Sequence, residues 1–403
     1  MALRVKQLST LVGSCVLHLM VGSGNTLANL NTYMTSYLRQ KASRDANFGE
    51  SVWYTPVGVT AFTLFTIISG FIVNKMGTRV TCLLAAVVFS GSMALTSLAL
   101  DNSFIMVLMS YALMAQIGNG LIYSSVIVNC IKWFPNNKGL VAGVITGINA
   151  FSSFIFTQIQ TFYLNPNNVK PNSDGYFDET EMLSKVPKLF NLLSGIYAVM
   201  GLIGVCLIFD SEEPRPNHTV QTDPNDNPIS TSMNFDDNEI LVTTTTHSVF
   251  QTQYSIRHAI NTRFFTMLWF TFAFSTQSVY FINSMIKAFG QSYINDDHYL
   301  SVILAFSFVA NGIGGVFWGK VLDLLKFRDT IIVINGILAT STFSLIISSF
   351  FCQKLFFAIW DFVLFFAGVG VFASYLPEVV RKFGDTNAIT IYGLIHTGPV
   401  STK

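Results

Sequence analysis

The chain has 403 residues, 51% of them hydrophobic and only 11% charged, with mean hydropathy +0.50 and net charge +1. Soluble domains carry roughly 25% charged residues. A water-soluble protein of this length is therefore excluded and a polytopic membrane protein follows, while a near-neutral chain without a compact basic patch excludes a nucleic-acid partner.

A hydrocarbon core of ~30 Å needs about 20 residues of helix. In chain order, ten apolar runs meet that length, at roughly 9–37, 52–73, 80–100, 104–131, 140–163, 188–209, 264–286, 299–319, 330–351 and 355–377. Barrel strands would be ~10 residues long and alternating, and these runs are neither. The first run follows Arg4 and Lys6 but is succeeded by many others, so it reads as a span and not as a cleaved signal. An eleventh run begins near Ala388 and reaches Lys403 after about 16 residues, short for a span. Cys15, Cys82, Cys130, Cys206 and Cys352 lie in or at the ends of these runs, without CxxC or metal spacing, and read as membrane-buried free thiols.

Two polar interruptions stand out. Residues 164–187 carry Asn-Pro and Lys-Pro turns, and residues 210–262 are acidic and rich in Pro, Asn and Thr. The second reads as a disordered linker. The expected organisation is a six-helix bundle over 1–209, a cytosolic linker over 210–262 and a second bundle over 263–403. That second bundle holds four helices and part of a fifth, so it is expected to be truncated relative to six plus six. The sequon at Asn217 falls in the linker and stays unmodified if the linker is cytosolic.

With the N-terminus inside, the inner loops hold Arg4, Lys6, Lys75, Arg79, Lys132, Lys138, Lys320, Lys326, Arg328, Arg381 and Lys382. The outer loops hold Arg39, Lys41, Arg44, Lys170, Lys185, Lys188, Lys287 and Lys354. Eleven cations against eight favour a cytosolic N-terminus and linker.

One inner loop, Gly70 to Arg79, reads GFIVNKMGTR, and a second, Gly319 to Arg328, reads GKVLDLLKFR. Both have Gly first, an amide or acid four on (Asn74, Asp323), Gly77 or Lys326 seven on, and Arg79 or Arg328 nine on. Recurrence after the second apolar run of each half marks a duplicated bundle. Glycine permits close helix approach, and the cations suit carbonyl helix ends or loop acids, so the motif reads as a latch on the inner face or simply as a marker of sidedness.

GFIVNKMGTR resembles the loop between the second and third spans of the major facilitator superfamily. Asn74 stands where that family usually has Asp, and Thr78 where it has a cation; the second copy keeps its acid as Asp323. Lys132-Trp133-Phe134-Pro135 with Lys138 to Gly143, Asn311 to Gly319, and Gly24 with Asn29 to Leu38 are similar to the oxalate:formate antiporter and monocarboxylate transporter-like branch. The resemblance implies an all-α fold of two pseudo-symmetric bundles. It also implies secondary active transport of a monocarboxylate or other small organic anion, by alternating access with proton coupling or exchange. Carboxylate carriers of the branch usually have an arginine in the eighth span and a lysine in the eleventh. Gly315 stands at the first position, and only His396 lies near the second. Because a buried cation is the natural partner of a carboxylate, this departure keeps a sugar or amino acid carrier open as an alternative. A non-transporting sensor or partner-binding membrane protein is the reading from another class.

The family's first, fourth, seventh and tenth spans face the central pathway. On helical spacing, His18, Asn25, Asn29 and Tyr33 form a polar stripe on the first, Gln116 and Tyr123 on the fourth, and Thr276, Tyr280, Asn283 and Lys287 on the seventh. Each stripe reads as cavity lining or as hydrogen-bonding glue between helices. Asp361 lies about six residues into the tenth span, ~9 Å deep. It reads as a proton site or a substrate partner, or as a hydrated residue beside Lys354. Lys287 attracts an anion, pairs with Asp361 or snorkels; His18 relays protons or packs as a neutral ring. The lipid bilayer, a small solute and protons are the expected partners. No GxSxG, P-loop, HExxH or metal spacing occurs, so no enzyme, metal or cofactor is expected.

Overall fold

The computed structural model describes residues 2–41, 47–167, 169, 172, 175–211, 254–291, 294, 297–345 and 353–398. Among these residues the chain is all helical. Its long helices are α1 (Ala2–Gly22), α2 (Leu27–Lys41), α3 (Tyr54–Met76), α4 (Thr78–Ala99), α5 (Ala115–Trp133), α6 (Lys138–Leu164), α7 (Lys185–Leu207), α8 (Arg263–Gln291), α9 (Asp297–Leu324), α10 (Phe327–Leu345), α11 (Gln353–Phe383) and α12 (Ala388–Ile395). Eight described stretches are long and apolar enough to cross a membrane, and α8 and α10 hold the seventh and ninth expected positions as helices. Residues 212–253, with most of the linker and Asn217, and Cys352 lie outside the described residues.

Each helix divides into a lipid face and a packed face. On α4, Val80, Leu83, Leu84, Val87, Leu95 and Leu98 are exposed, while Cys82, Ala85, Ala86, Phe89 and Met93 are buried. That is one 3.6-residue period with apolar side chains all round, which only a lipid solvent tolerates. One apolar core lies within the first half, around Met20, Phe89, Tyr111, Phe190 and Tyr197. A second joins α8 to α12 with the C-terminal part of α5 and the N-terminal part of α6.

The first span is not the single regular helix that its apolar run predicts. Ser23–Thr26 is a 3₁₀ turn between α1 and α2. The Ser23 hydroxyl donates to the Met20 carbonyl at 2.6 Å and the Thr26 hydroxyl to the Ser23 carbonyl at 2.7 Å. Side-chain bonds to the preceding turn compete with the regular ladder and tighten it. The fourth span likewise holds a π-helical segment, Leu108–Met114, ahead of α5. Beyond its apolar run, α11 continues through Pro377 to Phe383.

The two halves meet along α6 and α9. Gly139, Gly143 and Gly147 face Gly319, Gly315 and Gly312, backbone against backbone. A Cβ at Gly315 would fall 2.7 Å from Gly147 Cα and 2.8 Å from the Gly143 carbonyl oxygen. Only hydrogen fits between helices this close. The pseudo-symmetric counterpart is α3 against α12, where Gly70 admits Thr390 and Gly393 admits Ile67.

Candidate functional site

Helices from both halves converge on one aromatic junction. His18 on α1 lies 5.3 Å from the Tyr123 ring on α5, and Tyr123 lies 5.5 Å from Phe62 on α3. Phe62 then meets His396, just past α12, at 5.5 Å. Around His396 stand Phe272 and Tyr392, each at 4.6 Å, and Phe372 at 6.5 Å. Tyr280 touches Phe372 at 6.3 Å. Both histidines are buried, and the Nε2 atom of each has no hydrogen-bond partner among the described residues. The Nδ1 atom of His18 sits 3.2 Å from the Ser14 carbonyl, which holds a proton on that nitrogen and leaves Nε2 as the free position of the neutral ring.

The expected stripes divide. His18, Tyr123 and Tyr280 reach the junction; Thr276 is buried beside it with its hydroxyl donated to the Phe272 carbonyl. The first-span stripe does not stay on one face, because the 3₁₀ turn rotates everything after Gly22. Asn29 donates to the Gln160 side chain at 3.1 Å and accepts from Thr161, so it ties α2 to α6. Tyr33 stacks flat on Phe177 of the loop after α6, 4.9 Å between centroids. Asn25 stays exposed, 3.5 Å from Asn149. Gln116 accepts from Asn119 at 2.9 Å and borders a cavity of ≈ 30 Å³, about one water, with Gly24, Tyr54 and Tyr111. The side chains of Asn283 and Lys287 lie outside the described residues.

Asp361 is fully buried on α11, not hydrated at the end of its span. Ser307 on α9 donates to its Oδ2 at 2.6 Å, and its Oδ1 has no partner among the described residues. Lys354 instead lies over the Tyr299 ring, 5.1 Å from its centroid.

The two copies of the loop motif differ. In the second, Asp323 accepts from the Gly139 and Leu140 N–H groups at the start of α6, at 2.8 and 2.7 Å, and from Arg381 at 2.6 Å. An anion at a helix N-terminus is where the dipole favours it. Lys326 and Arg328 are exposed, so the cation that meets the acid is Arg381. In the first loop, Asn74, Lys75 and Arg79 are exposed, and Gly77 turns the chain with φ 82°. Asp210, beyond α7, accepts from the Thr78 N–H at 3.1 Å. A further bridge between halves joins Lys132 to Asp385 at 3.0 Å.

Sequence reasoning passed over Phe62, Tyr392, Ser307 and Asp210, and counted Arg381 only as a marker of sidedness. The aromatic and serine positions are indistinguishable from core until the halves are docked. The acid of Asp210 and the cation of Arg381 flank helix ends, a signal that charge at a terminus does offer.

The family model for the Major Facilitator Superfamily matches residues 182–398. The chain is 22% identical to Apicoplast pyruvate carrier 1 of Toxoplasma gondii, over 94% of this chain and 73% of that protein. The fold is similar to the E. coli fucose:proton symporter, with TM-score 0.62, 12% identity, and 97% of this chain and 90% of that one covered. It is also similar to a proton:xylose symporter, with TM-score 0.55, 13% identity, and 99% and 88% covered.

Proposed function

The chain belongs to the major facilitator superfamily, and from that premise we propose that it carries a small monocarboxylate, together with a proton, through the His18–His396 junction. The observation that carries the reading is the pair of buried histidines, one from each half, with unpartnered Nε2 atoms facing an aromatic surround. A carboxylate needs N–H donors and a compensating charge, and an imidazole that takes up a proton supplies both at once. The anion then crosses without net charge, which suits a site where no Lys or Arg side chain is described. Of the amides on the expected stripes, Asn29 is engaged with Gln160 and Gln116 accepts from Asn119, while the buried oxygens of Asn119, Gln277 and Asn311 have no partner among the described residues and keep a hydroxylated solute as the second reading. The pyruvate carrier among the relatives supports the same substrate class. Gly315 is no argument against it, because that position faces α6 and not the junction.

The two halves would rock about the junction, with the loop-motif end on the cytosolic side as the Lys and Arg bias suggests. The test is counterflow in proteoliposomes with labelled pyruvate, fucose and xylose. Saturable pyruvate exchange, reduced about tenfold or more in His396→Ala, is expected. Exchange of a sugar without pyruvate would overturn the substrate, and exchange of neither would overturn transport of these solutes.

A further inference from the structure

The two irregular segments of the first half's spans meet at one place, outside the histidine junction. Gly24, from the 3₁₀ turn of the first span, and Tyr111, from the π-helical segment of the fourth, line a shared cavity of ≈ 30 Å³ with Tyr54 and Gln116. We propose that this cavity holds one ordered water, and that the water makes the break in the first span a hinge. The water and the hinge are independent of which solute is carried.

The lining groups call for such a partner. Tyr54 and Tyr111 are 2% and 6% exposed, and neither hydroxyl has a hydrogen-bond partner among the described residues. Their rings stand edge to face, 6.1 Å between centroids. The Thr26 hydroxyl, in the same 3₁₀ turn as Gly24, already donates to the Ser23 carbonyl and accepts from Gln160 at 2.8 Å. Gln116 Oε1 accepts from Asn119 at 2.9 Å, which fixes the amide, and its Nε2 lies 3.5 Å from where a Cβ on Gly24 would stand. A water in the cavity accepts from Nε2 and bonds to both hydroxyls, and three partners are usual for a buried water. Other ligands do not fit. No charged side chain lines the cavity, so a sodium ion or an anion finds no counter-charge, and the volume excludes a carbon-bearing solute.

The hinge follows from how the two sides of the break are held. Close packing fixes α1: a Cβ at Gly13 would stand 2.8 Å from the Gly204 carbonyl oxygen, and one at Gly22 would collide with the Asn149 carbonyl. Side-chain hydrogen bonds hold α2 instead, from Asn29 to Gln160, from Asn31 to Ser51 at 2.9 Å and from Tyr37 to Asp101 at 2.5 Å. Bonds of that kind are remade as a helix tilts. Within lipid the buried hydroxyls need a partner at every tilt. A water reorients with no side-chain geometry of its own and keeps them satisfied.

The experiment is hydroxyl-radical labelling of the full chain in proteoliposomes, with the radicals made from water in place. Tyr54 and Tyr111 are expected to label about fivefold or more faster than Tyr197, which is 1% exposed and outside the cavity. Gly24→Ala puts a methyl into the cavity without a clash, because Gln116 Nε2, at 3.5 Å, is its one contact within 4 Å beyond its own turn among the described residues. Both rates should then fall to that of Tyr197. Wild-type rates equal to that of Tyr197 mean a dry cavity and overturn the proposal, as does labelling unchanged in Gly24→Ala. Protection by sodium chloride but not by choline chloride would assign the site to a cation and overturn it too. Spin labels at Val12 and Lys41, both exposed, read the hinge from either side of the break. Their distance distribution should narrow by about a third in Gly24→Ala and also in Tyr111→Phe, which takes a partner from the water and leaves the glycine in place. Narrowing in Gly24→Ala alone assigns the bend to the glycine and overturns the water's part in it; no narrowing in either variant overturns the hinge.

Discussion

The two seams between the halves are built on one plan and held by different chemistry. Where α6 meets α9, six glycines bring backbones together, and Asp323 ties the start of α6 to Arg381. Where α3 meets α12, Gly70 and Gly393 give the same close approach, but Asn74 is exposed and spans nothing. The acid of that loop comes from Asp210, and it serves the first half's own α4. A duplicated motif has thus kept its steric part twice and its cross-half electrostatic part once. Close packing requires only an absent side chain at the right helical spacing, so it survives sequence change easily. A charge bridge needs a donor and an acceptor on different elements, and loss of either ends it.

The comparison breaks most severely at Gly315. Gly315→Arg, installing the cation that carboxylate carriers of the resembling branch have in this span, leaves no room for a side chain against Gly143 and Gly147. We expect a cost of about 3 kcal/mol or more to the closed seam and no gain in carboxylate transport. Spin labels at Asn137 and Lys326, both exposed, would show the motif ends apart; an unchanged distance would mean that α6 and α9 are not in backbone contact.

Asp323→Ala comes next. It removes two charge-assisted N–H bonds and leaves Arg381 without its acid, worth about 2 kcal/mol after allowing for the partial exposure of Arg381. The same label pair should report a population shifted towards separation, and salt should reproduce little of that shift.

Asp210→Ala acts within one half. The lost cap is worth about 1 kcal/mol, so amide exchange in the first turn of α4 should quicken about fivefold while the label distance stays put. A change in that distance would mean that Asp210 also holds the halves together. The smallest effect is expected from Asn74→Asp. Restoring the family's acid at an exposed position changes stability by less than about 0.5 kcal/mol. A large shift in the label distance would show that the loop carries a partner in another state of the cycle.

Legibility in the sequence follows the range of each interaction. The run lengths placed the helices, including the start of α12 at Ala388, because lipid forces every backbone group into its own helix. The loop pair was legible as a repeat. The first-span stripe was not, since hydroxyls of Ser23 and Thr26 turned back on their own carbonyls and broke the register on which the stripe was read. His18 and Asp361 stood out as costly residues in apolar runs, yet their surroundings did not. His396 lies 378 positions from His18 in the chain, and Ser307 lies 54 from Asp361.

The sequence by itself therefore determined the class of molecule, its helical spans and its doubled loops, all of which follow from local hydropathy and short spacing. Tertiary structure alone decided which polar residues are glue and which remain unpartnered. It turned Gly315 from a missing cation into a packing glycine, and it supplied Arg381 to Asp323 and Ser307 to Asp361. Those assignments depend on how helices rotate and dock against each other, and a one-dimensional pattern carries no information on which face of a helix that is apolar all round will meet its neighbour.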